Sequence, residues 1–118
     1  MKTLTSYIFE KFRISKDTIS NLNFFEWPED KLISKMKETL KEYNRRNNRK
    51  YDIEVNHTKG YGDNEWLANI INSGYSYSYP TLSELYYSII HDWGTSQEFN
   101  KIKNWKYDTD KKEWIKRT

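Results

Sequence analysis

Three features of the chain point to an α+β fold. Two segments repeat apolar residues at helical spacing, and two others alternate or pair at the period of a strand. The third is composition: one alanine, Ala68, stands among 118 residues that include five Trp, ten Tyr and five Phe, so rings must supply much of the core. The length suits a single small domain. A mean hydropathy of -1.06 is polar, yet non-folding chains are poor in aromatic residues and this one is rich in them. The expected architecture is three to four helices with a small antiparallel sheet or hairpin over residues 21–118, behind an N-terminal amphipathic leader helix and polar linker in residues 1–20.

Taken in order, Leu4, Tyr7, Ile8 and Phe12 share one helical face, with Thr3 placed to cap it. Residues 13–23 are polar and read as a linker. Phe24, Phe25 and Trp27 form an aromatic knot before Pro28, whose fixed φ suits the first turn of a helix, and Glu29 and Asp30 complement that helix's positive end. Leu32, Ile33, Met36, Leu40 and Tyr43 then recur at helical spacing. The run from Asn44 to Lys50 ends this helix, since cations favour a C-terminus and Asn tolerates turn conformations. Tyr51, Ile53, Val55 and His57 alternate with Asp52, Glu54 and Asn56 as a half-buried strand does.

Asp63 is placed to cap a short helix carrying Trp66, Leu67, Ile70 and Ile71, with Gly74 beyond its end. Tyr75, Tyr77 and Tyr79 alternate with Ser76 and Ser78 and share a face if extended. Thr81 and Glu84 have capping-box spacing at the head of a helix with the stripe Leu82, Leu85, Tyr86, Ile89, Ile90 and Trp93, which Gly94 stops. A short helix around Phe99 and Ile102 precedes a hairpin: Trp105 and Tyr107, a polar turn at 108–111, then Trp114 and Ile115.

Charge is sorted along the chain, with net +5 in residues 1–50, -6 in 51–100 and +4 in 101–118. Such asymmetry concerns partners rather than fold. The basic ends can meet an acidic partner or the acidic middle of the same chain. Zero cysteines exclude disulfides, thiol chemistry and Cys-ligated metals. The N-terminus lacks the apolar run of a signal peptide, and no span suits a bilayer, so neither secretion by that route nor a membrane partner is expected.

Chemistry finds little footing in the residues. His57 and His91 fall in different elements without metal-ligand spacing, Ser88 and His91 lack a nucleophile elbow, and Asp52 with Glu54 reads as a solvated strand face. Gly60 and Gly62 lack the third glycine of a dinucleotide site. No catalytic residue, metal or cofactor is therefore expected, and binding is favoured over catalysis. Two basic sets could meet nucleic acid or an acidic partner: Arg45, Arg46, Arg49 and Lys50, and a C-terminal set including Lys103, Lys106 and Arg117 interleaved with Trp105 and Trp114. Lysines on a hairpin edge also simply block aggregation. Tyr75, Tyr77 and Tyr79, spaced by serines, have the composition of a protein-recognition surface and equally that of a half-buried strand.

The first ten residues, Met1-Lys2-Thr3-Leu4-Thr5-Ser6-Tyr7-Ile8-Phe9-Glu10, resemble the capsid-targeting sequence of T-even bacteriophage internal head proteins. Met1, Lys2, Thr3, Ile8 and Glu10 match, Tyr7 holds the aromatic position, and Leu4, Thr5 and Ser6 differ from the family's usual letters. Tyr7 to Lys11 and Ile14 to Asp17 also resemble leaders of tailed phages of gut Bacteroidetes. The resemblance implies packaging through a phage scaffold, cleavage after Glu10 by the prohead protease, and residence in the virion interior or the host cytoplasm. Leu4, Tyr7, Ile8, Glu10 and Phe12 would carry that docking, and a host factor would be the target of the domain behind it.

Overall fold

A computed structural model describes residues 22–58 and 64–117, in which three helices and two small antiparallel sheets form an α+β domain. The expected leader helix, nearly all of the linker, and Asp63 as a cap lie outside the described residues. Phe24–Glu26 makes one 3-10 turn. The elements that follow are α1 (Glu29–Asn47), β1 (Asp52–His57), β2 (Trp66–Ile71), β3 (Tyr75–Tyr79), α2 (Leu82–Trp93), α3 (Ser96–Asn100), β4 (Trp105–Asp108) and β5 (Glu113–Lys116).

Helix α1 starts immediately after Pro28, carries Glu29 and Asp30 in its first turn, and buries Leu32, Met36, Thr39 and Leu40. It stops at Asn48, which adopts the left-handed φ of 52° that asparagine tolerates. Asn44 in the last turn then grips the chain as it leaves. Its Nδ2 donates to the Tyr51 carbonyl at 2.7 Å and its Oδ1 accepts from the Tyr51 amide at 3.0 Å, which sets the angle at which β1 begins.

Residues 66–71 correct one expectation, because they form a strand and not a helix. Both β1 and β3 pair antiparallel with β2, giving the order β1-β2-β3. Ala68 and Ile70 point inward, opposite Val55 and Ile53 of β1, while Asn69 and Ile71 point outward. The turn into β3 needs positive φ at Asn72 (73°) and Gly74 (80°).

Helices α1 and α2 cover one face of this sheet. No described element covers the other face, which carries Asp52, Glu54, Asn56, Asn69, Ser76 and Ser78 with Leu67 and Ile71. Thr81 closes the capping box on α2: its Oγ1 accepts from the Glu84 amide at 3.3 Å and donates to the Glu84 carboxylate at 2.8 Å. Met36, Leu40, Ile70, Leu85, Ile89 and Ile90 are the most deeply buried side chains, each of the aliphatic ones stabilising the fold by about 1.5–3 kcal/mol on transfer. Helix α2 stops at Gly94, where the backbone turns extended, and a side chain there would put its Cβ 2.6 Å from the Ile90 carbonyl oxygen.

The β4–β5 hairpin forms as expected, turning on Asp108, whose Oδ1 accepts from the Asp110 and Lys111 amides at 3.0 and 3.1 Å. It belongs to a separate two-stranded sheet. Trp114 fastens it to the domain through Phe24 (ring centroids 4.8 Å), Phe25 (5.9 Å) and Tyr87 (5.6 Å), and its Nε1 donates to Ser83 Oγ at 2.9 Å.

Candidate functional site

Strand β3 and helix α2 lie side by side, and two tyrosine hydroxyls join them. Two residues of strand advance about 6.7 Å and four of helix about 6 Å, so a strand pair i, i+2 can register with a helix pair i, i+4. The chain uses that match once, with two contacts. Ser88 Oγ and Tyr79 Oη are hydrogen-bonded at 2.5 Å, and Tyr77 Oη donates to Asp92 at 2.7 Å while accepting from Trp93 Nε1 at 2.8 Å. Burial, and then the hydrogen bond to Asp92, push the Tyr77 hydroxyl well above its ordinary pKa.

Two of the three expected recognition tyrosines are therefore half-buried with their hydroxyls engaged. Tyr75 is different: it is 62% exposed and rests edge-on against Trp93 at 5.7 Å. On the side away from β2, β3 has no strand partner among the described residues. Its five residues carry no charge, whereas the opposite edge strand, β1, carries Asp52 and Glu54.

At the Tyr79 end of β3 opens a groove of about 510 Å³, lined also by Tyr87, Ser88, His91 and Asp92 of α2, by Phe99, and by Lys103 and Arg117. A smaller continuation of about 120 Å³ reaches Glu84, Trp105, Lys106, Tyr107 and Trp114. Helix α3 supplies Phe99, held edge-on to both Tyr87 and His91. The acids here are already engaged. Asp92 takes Tyr77 and His91 on its two oxygens, and Glu84 takes Thr81, with burial raising the Glu84 carboxyl pKa against the lowering by those hydrogen bonds. No ion pair involves Lys103, Lys106 or Arg117 among the described residues. The groove is thus cationic on one wall and hydroxyl-rich on the other.

A larger cleft of about 600 Å³ lies between the 3-10 turn, α1 and α3, floored by Phe24, Trp27, Tyr86 and Trp105 and rimmed by Lys35, Glu38, Glu42, Glu98 and Lys101. Thr39, its buried polar residue, directs Oγ1 at the Lys35 carbonyl (2.8 Å) and Glu98 (3.3 Å). Every buried side-chain polar atom among the described residues has a partner, so the cleft presents no orphaned group to a ligand.

The two expected basic surfaces are not brought together. The hairpin packs at Phe24 and Phe25, before α1 begins, while Arg45 and Arg46 lie in its last turn and Arg49 and Lys50 beyond it, about 25 Å away along the helix. Glu42 is shared by Arg45 and Arg46, whose hydrogen bond and charges hold its carboxyl below the usual range. Trp105 and Trp114 turn their rings onto Phe25 and Phe24. The leader residues Leu4, Tyr7, Ile8, Glu10 and Phe12 lie outside the described residues. No group of three or more His, Asp or Glu with metal-binding proximity occurs among the described residues, and no described helix is long and apolar enough to cross a membrane.

Tyr87, Ser88, His91 and Phe99 were missed as site residues by sequence reasoning, because the groove is assembled from three elements separated by turns. Arg117 was visible only as one more C-terminal cation. No protein-family model matches this chain, and no curated protein or solved structure is significantly similar to it.

Proposed function

We propose that the chain is a non-enzymatic bacteriophage protein, packaged in the head or directed at the host, that acts by binding another protein. The resemblance of residues 1–10 to capsid-targeting leaders supports the phage part. One observation carries the binding part: among the described residues β3 is an uncharged, one-sided sheet edge with a 62% exposed tyrosine at its start. Folded proteins usually guard such edges with charge, proline or a bulge, because an open edge recruits other chains. An edge left open beside a built groove is suited to recognition by strand addition.

The alternative of nucleic-acid binding draws on Lys103, Lys106 and Arg117. It is the weaker reading, since stacking on single strands needs presented rings and those of Trp105 and Trp114 pack against phenylalanines. Two experiments test the proposal. Residues 1–20 fused to a reporter should enter phage particles, and enrichment no greater than that of a Leu4, Tyr7 and Ile8 alanine control ends the packaging part. Protein retained from infected host by the full chain should be lost on Ser76→Lys or Ser78→Lys, which charge the edge from its solvent face; retention unchanged by both removes β3 from the function.

A further inference from the structure

We infer that the partner enters as an extended segment that adds to β3 as a fourth strand, with an inward acidic side chain beside Tyr79 that meets Lys103 and Arg117 across the groove. This rests on the protein-binding reading above and names the chemistry of its partner.

The geometry supplies each requirement of that occupant. A strand added to β3 would lie about 4.8 Å beyond it; its end beside Tyr79 would stand over the groove that holds Ser88, Lys103 and Arg117, and the rest beside Tyr75 and Tyr77 would face His91, Asp92 and Trp93. Alternate side chains of the added strand face opposite sides of the sheet. One set would stand over the polar face beside Ser76 and Ser78; the other would point inward, into the groove at the Tyr79 end. The side chain that enters beside Tyr79 meets two cations with no carboxylate within 4 Å among the described residues, while Asp92, farther along the edge, is bound to Tyr77 and His91. A basic or apolar residue there would leave both cations uncompensated, whereas Asp or Glu pairs with them.

A helix is a poorer fit, because it cannot pair with the main chain that β3 leaves open. A second copy of this chain is poorer too. The sequence Tyr-Ser-Tyr-Ser-Tyr reads the same in both directions and would allow a two-fold antiparallel pairing about Tyr77, but that pairing sets cationic walls on both sides of one interface.

The test is selection of extended peptides from a randomised nine-residue library against the immobilised full chain. The expected winners share an Asp or Glu at one fixed position, the one that enters beside Tyr79, with β-branched or aromatic residues around it. Replacing that acid by lysine should weaken binding at least tenfold, as should the double variant Lys103→Glu with Arg117→Glu, which alters exposed positions and should melt as the wild type does. Methylating alternate peptide nitrogens should abolish binding, because it removes the ladder hydrogen bonds. The inference is overturned by winners without acids, by affinity indifferent to the charge reversal, by tolerance of N-methylation on both alternate sets, or by a concentration-dependent dimer that Ser78→Lys dissolves. Should a natural protein partner still be lost on Ser78→Lys while charge reversal leaves it bound, the acidic strand fails and the protein-binding reading stands. Should neither peptide nor protein be retained, both fail.

Discussion

Trp114→Ala should free the β4–β5 hairpin while leaving the three-stranded sheet and its helices folded. Each hairpin strand is four residues long and pairs only with the other, and an isolated two-stranded ribbon is marginal in water. Its attachment depends heavily on one indole, which meets the rings of Phe24, Phe25, Tyr87 and Tyr107 and donates to Ser83. Truncating a fully buried Trp costs about 3–5 kcal/mol. Because Trp114 is only half-buried, a loss of about 2–3 kcal/mol is expected, part of it the hydrogen bond at about 1 kcal/mol. Confined to local opening, that speeds amide exchange in Trp105–Asp108 and Glu113–Lys116 roughly 30- to 150-fold. Native-state hydrogen exchange reads this directly, with the amides of Ala68 and Ile70 in the central strand as internal controls. Trp114→Phe keeps most ring contacts and should lose about 1 kcal/mol. Hairpin amides exchanging at wild-type rates in Trp114→Ala would refute the attachment argument, as would equal acceleration of hairpin and sheet.

Other consequences are as concrete. Tyr77→Phe strands the Trp93 indole N–H in the core and should lower stability by about 1–3 kcal/mol, seen as a fall in urea midpoint at constant slope. Gly94→Ala drives a methyl into the Ile90 carbonyl at 2.6 Å and should cost about 1–3 kcal/mol in a thermal melt, although its φ of -80° is acceptable to alanine. Alkaline pH should destabilise the domain through Tyr86, whose hydroxyl is held above the ordinary range by burial and then by Glu98 and Glu38. The folded state keeps that proton after the unfolded chain releases it near pH ~10. Stability present below that pH is then lost as pH rises, by at most about 1.4 kcal/mol per unit. Urea unfolding between pH 9 and 11.5 should show the decline, and Tyr86→Phe should make it shallower, leaving the part that Tyr77, with its own raised pKa, contributes.

Elements with a strong local signature were legible in the chain. The capping box at Thr81 and Glu84, the stripe from Leu82 to Trp93, and the Ile53/Val55 alternation each impose structure from nearby residues alone. Trp66 to Ile71 did not, because apolar residues at 66, 67, 70 and 71 satisfy a helical face as readily as a strand. Leu67 and Ile71 sit on the solvent side and hide the inward pair, Ala68 and Ile70. What decides for strand is pairing on both edges, with β1 and β3, which no six-residue window contains. The candidate site was obscured for the same reason. Tyr79, Ser88, Lys103 and Arg117 meet only after α2 turns the chain back and the hairpin docks on Phe24. Composition foretold the surplus of rings but not that Tyr77 and Tyr79 would anchor a strand to a helix.

The one alanine of this chain falls at the middle of the middle strand, fully buried between Val55 and Tyr77. A sheet whose inward face bears three tyrosines and Trp66 offers its shallowest spot at Ala68 to the crossing helices. Its methyl group therefore works as a spacer that fixes how near the two layers lie. A bulkier residue would lift the layers apart and loosen the outermost pegs first, those at Tyr77 and Tyr79. Among homologues, variation should be narrowest at this smallest of side chains, and wider at many of the rings around it.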